Sequence, residues 1–357
     1  MSTLNVFGAR AAAGRLEIPA TTAWYLGDLG EALGKQALHA KQSPQRLKRL
    51  RESAIVESAI ASNRIEGVAI DPARVNPVLV GRGRLRDRDE AEVRGYRDAL
   101  RMIHENASGL PVAEQTIREL HRVARAGMGD AGSYRSGDLD IIERCADGRT
   151  RVRFRAVSGE AAPTAMSDLI RLWNECVGQR WAPPVVAIAA FNLDLLCIHP
   201  FRDGNGRVSR LLLLLQLYHF GYEVGRYISL ERVIEEQGDR YYETLELSSQ
   251  GWHQERHDPW PYVNYLLHIL KTAYREFEAR VGDTREPRGA KTDAVLAAIG
   301  RARTPFTVSD IQRGCPGVGV DLIRHLLKKL QADGMVECLG RGQKASWQRT
   351  ARWQDGK

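Results

Sequence analysis

The chain has 357 residues, 43% of them hydrophobic and 7% aromatic, so it can bury a sizeable core and does not read as disordered. No apolar run is long enough to span a bilayer and the N-terminus lacks a secretory pattern, so a cytoplasmic protein without membrane contact is expected. The five cysteines (Cys145, Cys176, Cys197, Cys315 and Cys338) are odd in number and show no CxxC pairing, which argues against a zinc site or a disulfide framework.

Net charge is +8, and its placement is uneven. Residues 285–357 carry 14 Lys+Arg against 7 Asp+Glu, while the preceding residues carry 38 against 37. A basic excess confined to the tail points to a nucleic-acid or acidic partner for that region alone.

Taken in order, residues up to about 20 are weakly patterned and read as partly irregular. A helix is expected over 23–40 and another after Pro44, with Ser43 as its N-cap. On that second helix Ile55, Ala59, Ser62 and Glu66 share one face. Gly67 ends it. Glu66 therefore sits in the last turn, where the helix dipole disfavours an anion. It is either a solvated surface carboxylate or one that needs a cation from elsewhere. Residues 71–87 read as a loop, its alternating arginines solvated.

Helices are expected over 89–106 and 112–126. Residues 139–142 and 152–154 then flank Cys145-Ala146-Asp147-Gly148-Arg149, which reads as a β-hairpin. In a helical chain it is a flap over something or a decoration. Helices follow over 163–174, from Pro183 and Pro184 to His199, and over 208–220, the last apolar nearly all round and so central. More are expected over 230–237, 239–250 and 260–278. Residues 282–289 read as a linker.

The tail has a helix over 292–300, a near capping box at Thr307-Val308-Ser309-Asp310, and a turn at Gly314-Cys315-Pro316-Gly317. A helix over 320–332 presents Arg324, His325, Lys328 and Lys329. Two short strands close it, turned by Gly340-Arg341-Gly342. That order resembles a winged helix, which contacts DNA or, in the same shape, a protein.

Between the apolar segments 185–198 and 211–217 lies His199-Pro200-Phe201-Arg202-Asp203-Gly204-Asn205-Gly206-Arg207-Val208-Ser209-Arg210. Charged groups are rarely set in a core without partners. Gly204-Asn205-Gly206 precedes a helix, so free backbone N–H groups there make an anion seat. Arg207 and Arg210 are three apart and suit a polyphosphate. Asp203 repels phosphate but suits Mg²⁺ bridging two phosphates. His199, alone as well a core histidine as a catalyst, is the group that titrates near neutral pH. Together these parts read as phosphoryl or nucleotidyl transfer to a hydroxyl. There is no Walker GxxxxGK[ST] and no kinase HRD/DFG set.

This stretch resembles the motif HxFx(D/E)GNGRxxR of the Fic (filamentation-induced-by-cAMP) family at every defined position. The resemblance implies a mainly α fold: a helical core with a β-hairpin flap, here followed by a winged helix-turn-helix. It implies domains at 1–88 (helical, with an inhibitory helix at about 53–67), 89–281 (core), 282–290 (linker) and 291–357. It implies AMP transfer from ATP to a Ser, Thr or Tyr hydroxyl of a target protein. His199 would be the base and Asp203 the Mg²⁺ ligand. Gly204, Asn205 and Gly206 would cradle phosphate, Arg207 and Arg210 would bind the phosphate chain, and Phe201 would anchor the loop.

Ser62-Asn63-Arg64-Ile65-Glu66-Gly67 is similar to the family's inhibitory pattern (S/T)xxxE(G/N). By that resemblance Glu66 pairs with Arg210 and switches the site off. The hairpin, with Val152, Arg153 and Phe154, matches the flap that docks a target segment. Tyr241 and Leu245 fall where the family places nucleoside contacts. Self-modification and a homodimer are left open. Two rivals stand beside this reading: Glu66-dependent removal of AMP at the same site, and a DNA-binding regulator whose core senses nucleotide.

Overall fold

Two segments of the chain fold as separate units, Met1–Gly282 and Asp283–Lys357. The computed structural model describes residues 2–42, 44–80, 83–125, 127–144, 150–282, 290–302, 304–315, 318–340 and 345–353.

The first unit opens with α1 (Thr3–Ala12), where an irregular segment was expected. The reason is partly local: Ser2 Oγ caps the helix by accepting from the Asn5 N–H at 3.0 Å. The Thr3 and Leu4 N–H groups donate to the Asp194 carboxylate at 2.6 and 3.0 Å. A remote carboxylate thus also caps the helix, as the orphan donors of a first turn require. Leu4 and Phe7 then bury completely.

Next come α2 (Ala20–Gln42), longer than its pattern indicated, and α3 (Pro44–Ile65), which stops one residue short of Glu66. Pro44 opens α3 as expected; Ser43, its expected cap, lies outside the described residues. The small-residue face of α3 is buried at Ser58, Ala59 and Ser62, and Gly67 ends the helix at φ +77. The loop after it holds two short helical turns, Pro72–Arg74 and Asn76–Val80.

Helices α4 (Arg88–Asn106) and α5 (Glu114–Ala124) follow, then the hairpin of β1 (Asp140–Arg144) and β2 (Thr150–Arg155). It pairs antiparallel, with an irregularity at Ile141/Ile142. The turn expected at 145–149 lies outside the described residues.

Helix α6 (Ala162–Gln179) packs on α7 (Pro184–Ile198), and α7 on α8 (Asn205–His219). Between Val185 and Ile198 only Leu196 escapes full burial. In α8, Val208 to Tyr218 is buried without a break. Helices buried all round need neighbours on every side, and α4, α5 and α6 supply them. The site motif is the connection between these two central helices. Helices α9 (Leu230–Glu235), α10 (Gly238–Ser249) and α11 (Trp260–Gly282) complete the unit, with α11 lying along α2. The N-terminal helices and the core are therefore one packed body, and position 88 marks no break in it.

The second unit runs α12 (Ala290–Arg301), β3 (Phe306–Thr307), α13 (Val308–Gly314), α14 (Val320–Ala332), β4 (Val336–Cys338) and β5 (Ser346–Arg349). Its sheet order is β3-β5-β4. Thr307 and Asp310 form a reciprocal capping box. Ile299, Phe306, Ile311, Ile323 and Leu327 make a separate core, and Arg324, His325, Lys328 and Lys329 line the exposed side of α14. Residues 283–289, 316–317 and 341–342, where a linker and two turns were expected, lie outside the described residues. No helix among the described residues is long and apolar enough to cross a membrane.

Candidate active site

His199 is the residue at which α7 stops. It adopts the left-handed conformation, φ 51 and ψ 59, and its N–H donates to the Leu195 carbonyl. Its Nδ1 lies 3.1 Å from the Leu196 carbonyl oxygen. A carbonyl only accepts, so Nδ1 carries the proton and Nε2 is left with its lone pair. Burial, foremost, pulls the imidazole below its ordinary pKa. A neutral ring with a free Nε2 is what a general base at neutral pH requires.

The loop that follows is tied from within. Phe201 is fully buried and stacks on His121, with ring centroids 3.8 Å apart. The Asn205 side chain accepts from the Phe201 N–H at 2.9 Å and donates to the Phe201 carbonyl at 2.7 Å. Each end of that amide makes one bond that shapes the loop, and the second Nδ2 hydrogen and the backbone N–H of Asn205 remain to be offered to an anion.

Two glycines shape the space here. Gly204 sits at φ +88, and a Cβ on it would meet Arg125 and His121 side-chain atoms at 3.2 and 3.3 Å. A Cβ on Gly206 would fall 2.1 Å from Glu66 Oε1. The Glu66 carboxylate, in the turn just after α3, thus lies directly on the first turn of α8. That is where the helix dipole and open amides draw an anion.

Arg210 fixes it there. Its Nη2 donates to Glu66 Oε1 at 2.7 Å and to the Ser62 carbonyl at 2.9 Å, and its Nε donates to Ser62 Oγ at 2.9 Å. The guanidinium is buried to 3% exposure. Burial disfavours its charge, but Glu66 more than restores it and raises the pKa. Glu66 does have its cation, and the solvated alternative is excluded. The Arg210 Nη1 is buried and has no partner among the described residues.

Arg207 faces a different way from Arg210. Its Nη1 donates to Glu92 and, at 3.3 Å, to Asn63 Oδ1; its Nη2 lies 3.3 Å from Asp203. Glu92 is buried among Arg88, Arg125 and Arg207. Burial alone would raise its pKa, yet the arginines hold it below the ordinary range. Asp203 meets the same three arginines and is 44% exposed. Against the upward pull of burial, Arg125 and Arg207 keep it ionised below its usual pKa. A half-exposed hard oxygen beside an anion seat is a sound single ligand for Mg²⁺, whose other ligands are phosphate and water. No group of three or more His, Cys, Asp or Glu among the described residues could hold a metal without such help.

His199, Gly206 and Glu66 open on one cleft of about 810 Å³, while Asp203, Arg207 and Arg210 are not among the residues that line it. Glu66, His199, Gly206, Tyr241, Arg153 and Phe154 are among its lining residues. Tyr241 is buried in the wall, and Leu245 lies beside it. Phe154 stacks on His253 at 5.2 Å, and Arg153 donates to Glu246 at 3.3 Å. Val152 is 50% exposed and is not part of that lining. Tyr242 joins the two sides: Arg153 stacks on its ring, and its hydroxyl donates to the Ile65 carbonyl at the end of α3.

Sequence reasoning missed Glu92, Arg88, Arg125, His121, Arg135 and Tyr242. His121 is locked: Nδ1 accepts from the Gly132 N–H at 2.8 Å, and Nε2 donates to the Asp203 carbonyl at 2.9 Å. Nothing local marks these residues. Each is an ordinary charge or ring on an amphipathic helix or loop until its distant partner is known.

Residues 111–217 match the Fic/DOC family. A protein named protein adenylyltransferase Fic from Drosophila erecta is 27% identical over 242 residues, covering 64% of this chain and 43% of its own length. The relative of the same name from Drosophila persimilis aligns likewise, at 27% and 42% of its length. The chain thus spans less than half of these relatives. A crystal structure of a Fic family protein from Desulfovibrio desulfuricans G20 superposes with TM-score 0.63 at 25% identity, covering 95% of this chain and 98% of that one. Fic-1 from C. elegans superposes with TM-score 0.59 at 19% identity over 74% of each chain, a likeness of fold.

Proposed function

Because residues 111–217 belong to the Fic/DOC family, we propose that this chain transfers AMP from ATP to a hydroxyl of a protein target, and that Glu66 holds the activity back. One observation carries the reading. A histidine with a free Nε2 and an anion seat on a helix N-terminus open on one cleft, and a carboxylate of the same chain occupies the seat. Relatives of this chain are named adenylyltransferases.

In this reading the phosphates of ATP rest on the amides at the start of α8, with the unpartnered Arg210 Nη1 turned toward them. The target hydroxyl attacks the α-phosphorus. His199 Nε2 takes the hydroxyl proton, a phosphodiester bond forms, and pyrophosphate leaves. Asp203 is the residue that would hold Mg²⁺, which neutralises phosphate charge when bound. Tyr241 and Leu245 would flank the nucleoside. The hairpin would dock the target as an added strand along β1, which pairs only with β2 among the described residues. Self-modification is one outlet for this chemistry.

The test uses ATP labelled at either end, with Mg²⁺ and the full chain carrying Glu66→Gly. Label from the α-phosphate should stay on protein, and label from the γ-phosphate should leave with pyrophosphate. Retention of the γ-label would replace the reading with phosphoryl transfer. A second reading keeps the site and reverses the direction. Glu66 is 29% exposed in the cleft beside His199 and could hold a water for removing AMP. Loss of AMP from a pre-labelled chain only when Glu66 is intact would favour it.

For the second unit we propose a winged helix that binds DNA through α14. Its element order, three-stranded sheet and exposed basic helix support this. Binding should weaken steeply with salt, since each phosphate neutralised releases counterions. No DNA shift at low salt would leave a protein partner instead.

A further inference from the structure

Arg135 is 7% exposed, and its hydrogen bonds go to main-chain carbonyls. Its Nε donates to the His199 carbonyl at 2.8 Å, and its Nη2 to the Ile198 carbonyl at 3.2 Å. Its Nη1 donates to Gly137 at 2.6 Å, and Nη2 also reaches Val157. Its own backbone N–H donates to the Pro200 carbonyl at 2.9 Å.

Three consecutive carbonyls, 198, 199 and 200, are therefore held by one residue. The peptide before His199 sets its φ and the peptide after it sets its ψ. Gripping the oxygens of both fixes the two angles. That matters because a non-glycine residue in the left-handed region costs roughly 1–2 kcal/mol and persists only where its surroundings enforce it. His199 also precedes a proline, which narrows its backbone choices further. A cation is well placed here, since the carbonyls at the end of α7 form the negative pole of the helix.

The other two acceptors are the roots of the hairpin. Gly137 stands before β1 and Val157 after β2. One guanidinium thus joins the histidine backbone to both feet of the surface proposed to dock the target.

We propose that Arg135 is a positioning residue: it sets the backbone angles of His199 and the seat of the hairpin together, so that the acceptor hydroxyl arrives in register with Nε2. This rests on the transfer reading above. Arg135 touches no reacting atom. Its effect falls on the geometry of attack and not on the binding of ATP.

The experiment uses the full chain with Glu66→Gly, comparing Arg135→Lys and Arg135→Ala for self-labelling across ATP concentration. Both should keep the KM for ATP within about threefold. The maximal rate should fall about 10- to 100-fold, as a misplacement of about 1 Å would cause, with lysine retaining more than alanine. Nitrogen-15 spectra of histidine-labelled protein should show His199 losing its single Nδ1–H tautomer. Parent-like rates in both variants would overturn the proposal. So would a rate that falls only in step with ATP affinity and melting temperature. If the alanine variant fails to fold, the lysine variant decides by the same criteria. A Glu66→Gly parent that never labels sinks the transfer reading instead, and the tautomer spectrum then decides the positioning claim alone.

Discussion

Replacing Glu66 with glycine is expected to raise AMP incorporation by about 10- to 100-fold. The size follows from what is removed. Glu66 meets Arg210 in a charge-assisted hydrogen bond of 2.7 Å, and its other contact is the N-terminal turn of α8. A hydrogen bond to a charged group is worth about 1.5–3 kcal/mol, and each 1.4 kcal/mol is tenfold in an equilibrium constant. Glycine removes the bond and empties the volume over Gly206 together. Glu66→Gln should give a smaller gain, because it frees the charge but not the space. Adding His199→Ala to the glycine variant should abolish labelling, since no other cleft-lining group pairs a free ring nitrogen with the seat. Equal incorporation by wild type and Glu66→Gly would refute autoinhibition while leaving the transfer chemistry standing.

The largest stability effect is expected at Asp194, far from the chemistry in role if not in sequence. Asp194→Ala should cost about 3–5 kcal/mol. Three buried donors converge on that carboxylate: the Thr3 and Leu4 N–H groups and, at 2.8 Å, the Trp252 indole. Orphaning a buried donor costs about 1–3 kcal/mol. Helix α1 would keep its Ser2 cap but lose the acceptor of its Thr3 and Leu4 N–H groups, which docks the turn that carries Leu4. For a unit this size that is a drop of roughly 10 °C in melting temperature, at about 2–4 °C per kcal/mol.

The pH dependence separates this from simple packing. Burial pushes the carboxyl from its ordinary 3.8 up to about 6. Between those values the folded state binds more protons than the unfolded one, so the contribution of Asp194 falls as pH rises through about 6. Wild type should therefore gain on Asp194→Asn as pH falls from 6 to 4, by about 1.4 kcal/mol per unit of pKa difference. Urea denaturation of both proteins across that range measures the gap. A gap that stays flat would count against a buried titrating carboxylate.

Much of this was readable in the chain. The helices of both units fall close to where periodicity puts them, and Thr307 caps α13 as its spacing with Asp310 demands. The two central helices announce themselves by being apolar all round. The cluster of charge between them marks the candidate site. What could not be read is whatever depends on a partner far along the chain. Helix α1 has a local cap in Ser2, but the carboxylate that docks its first turn, Asp194, is about 190 residues away. Arg207 and Arg210 look equivalent at a spacing of three. Only the fold sends one to Glu92 and Asp203 and the other to Ser62 and Glu66. A buried arginine such as Arg135 has the same letter as a solvated one. Short-range rules see helix faces and turns; they are blind to who waits opposite.

On the autoinhibition reading, the Cβ that Gly206 lacks marks a volume for which Glu66 and a phosphate oxygen of ATP would compete. An inhibitor borne on the same chain never diffuses away, so its local concentration is set by the tether and not by dilution. Changing the amount of protein leaves the block unchanged. The apparent affinity for ATP is the intrinsic affinity scaled by the fraction of molecules whose seat is empty. If the seat is open in about one molecule in a hundred, ATP binds about a hundredfold more weakly than the cradle itself allows. On that reading, KM for ATP would be a regulated quantity, set by how firmly the turn after α3 holds on.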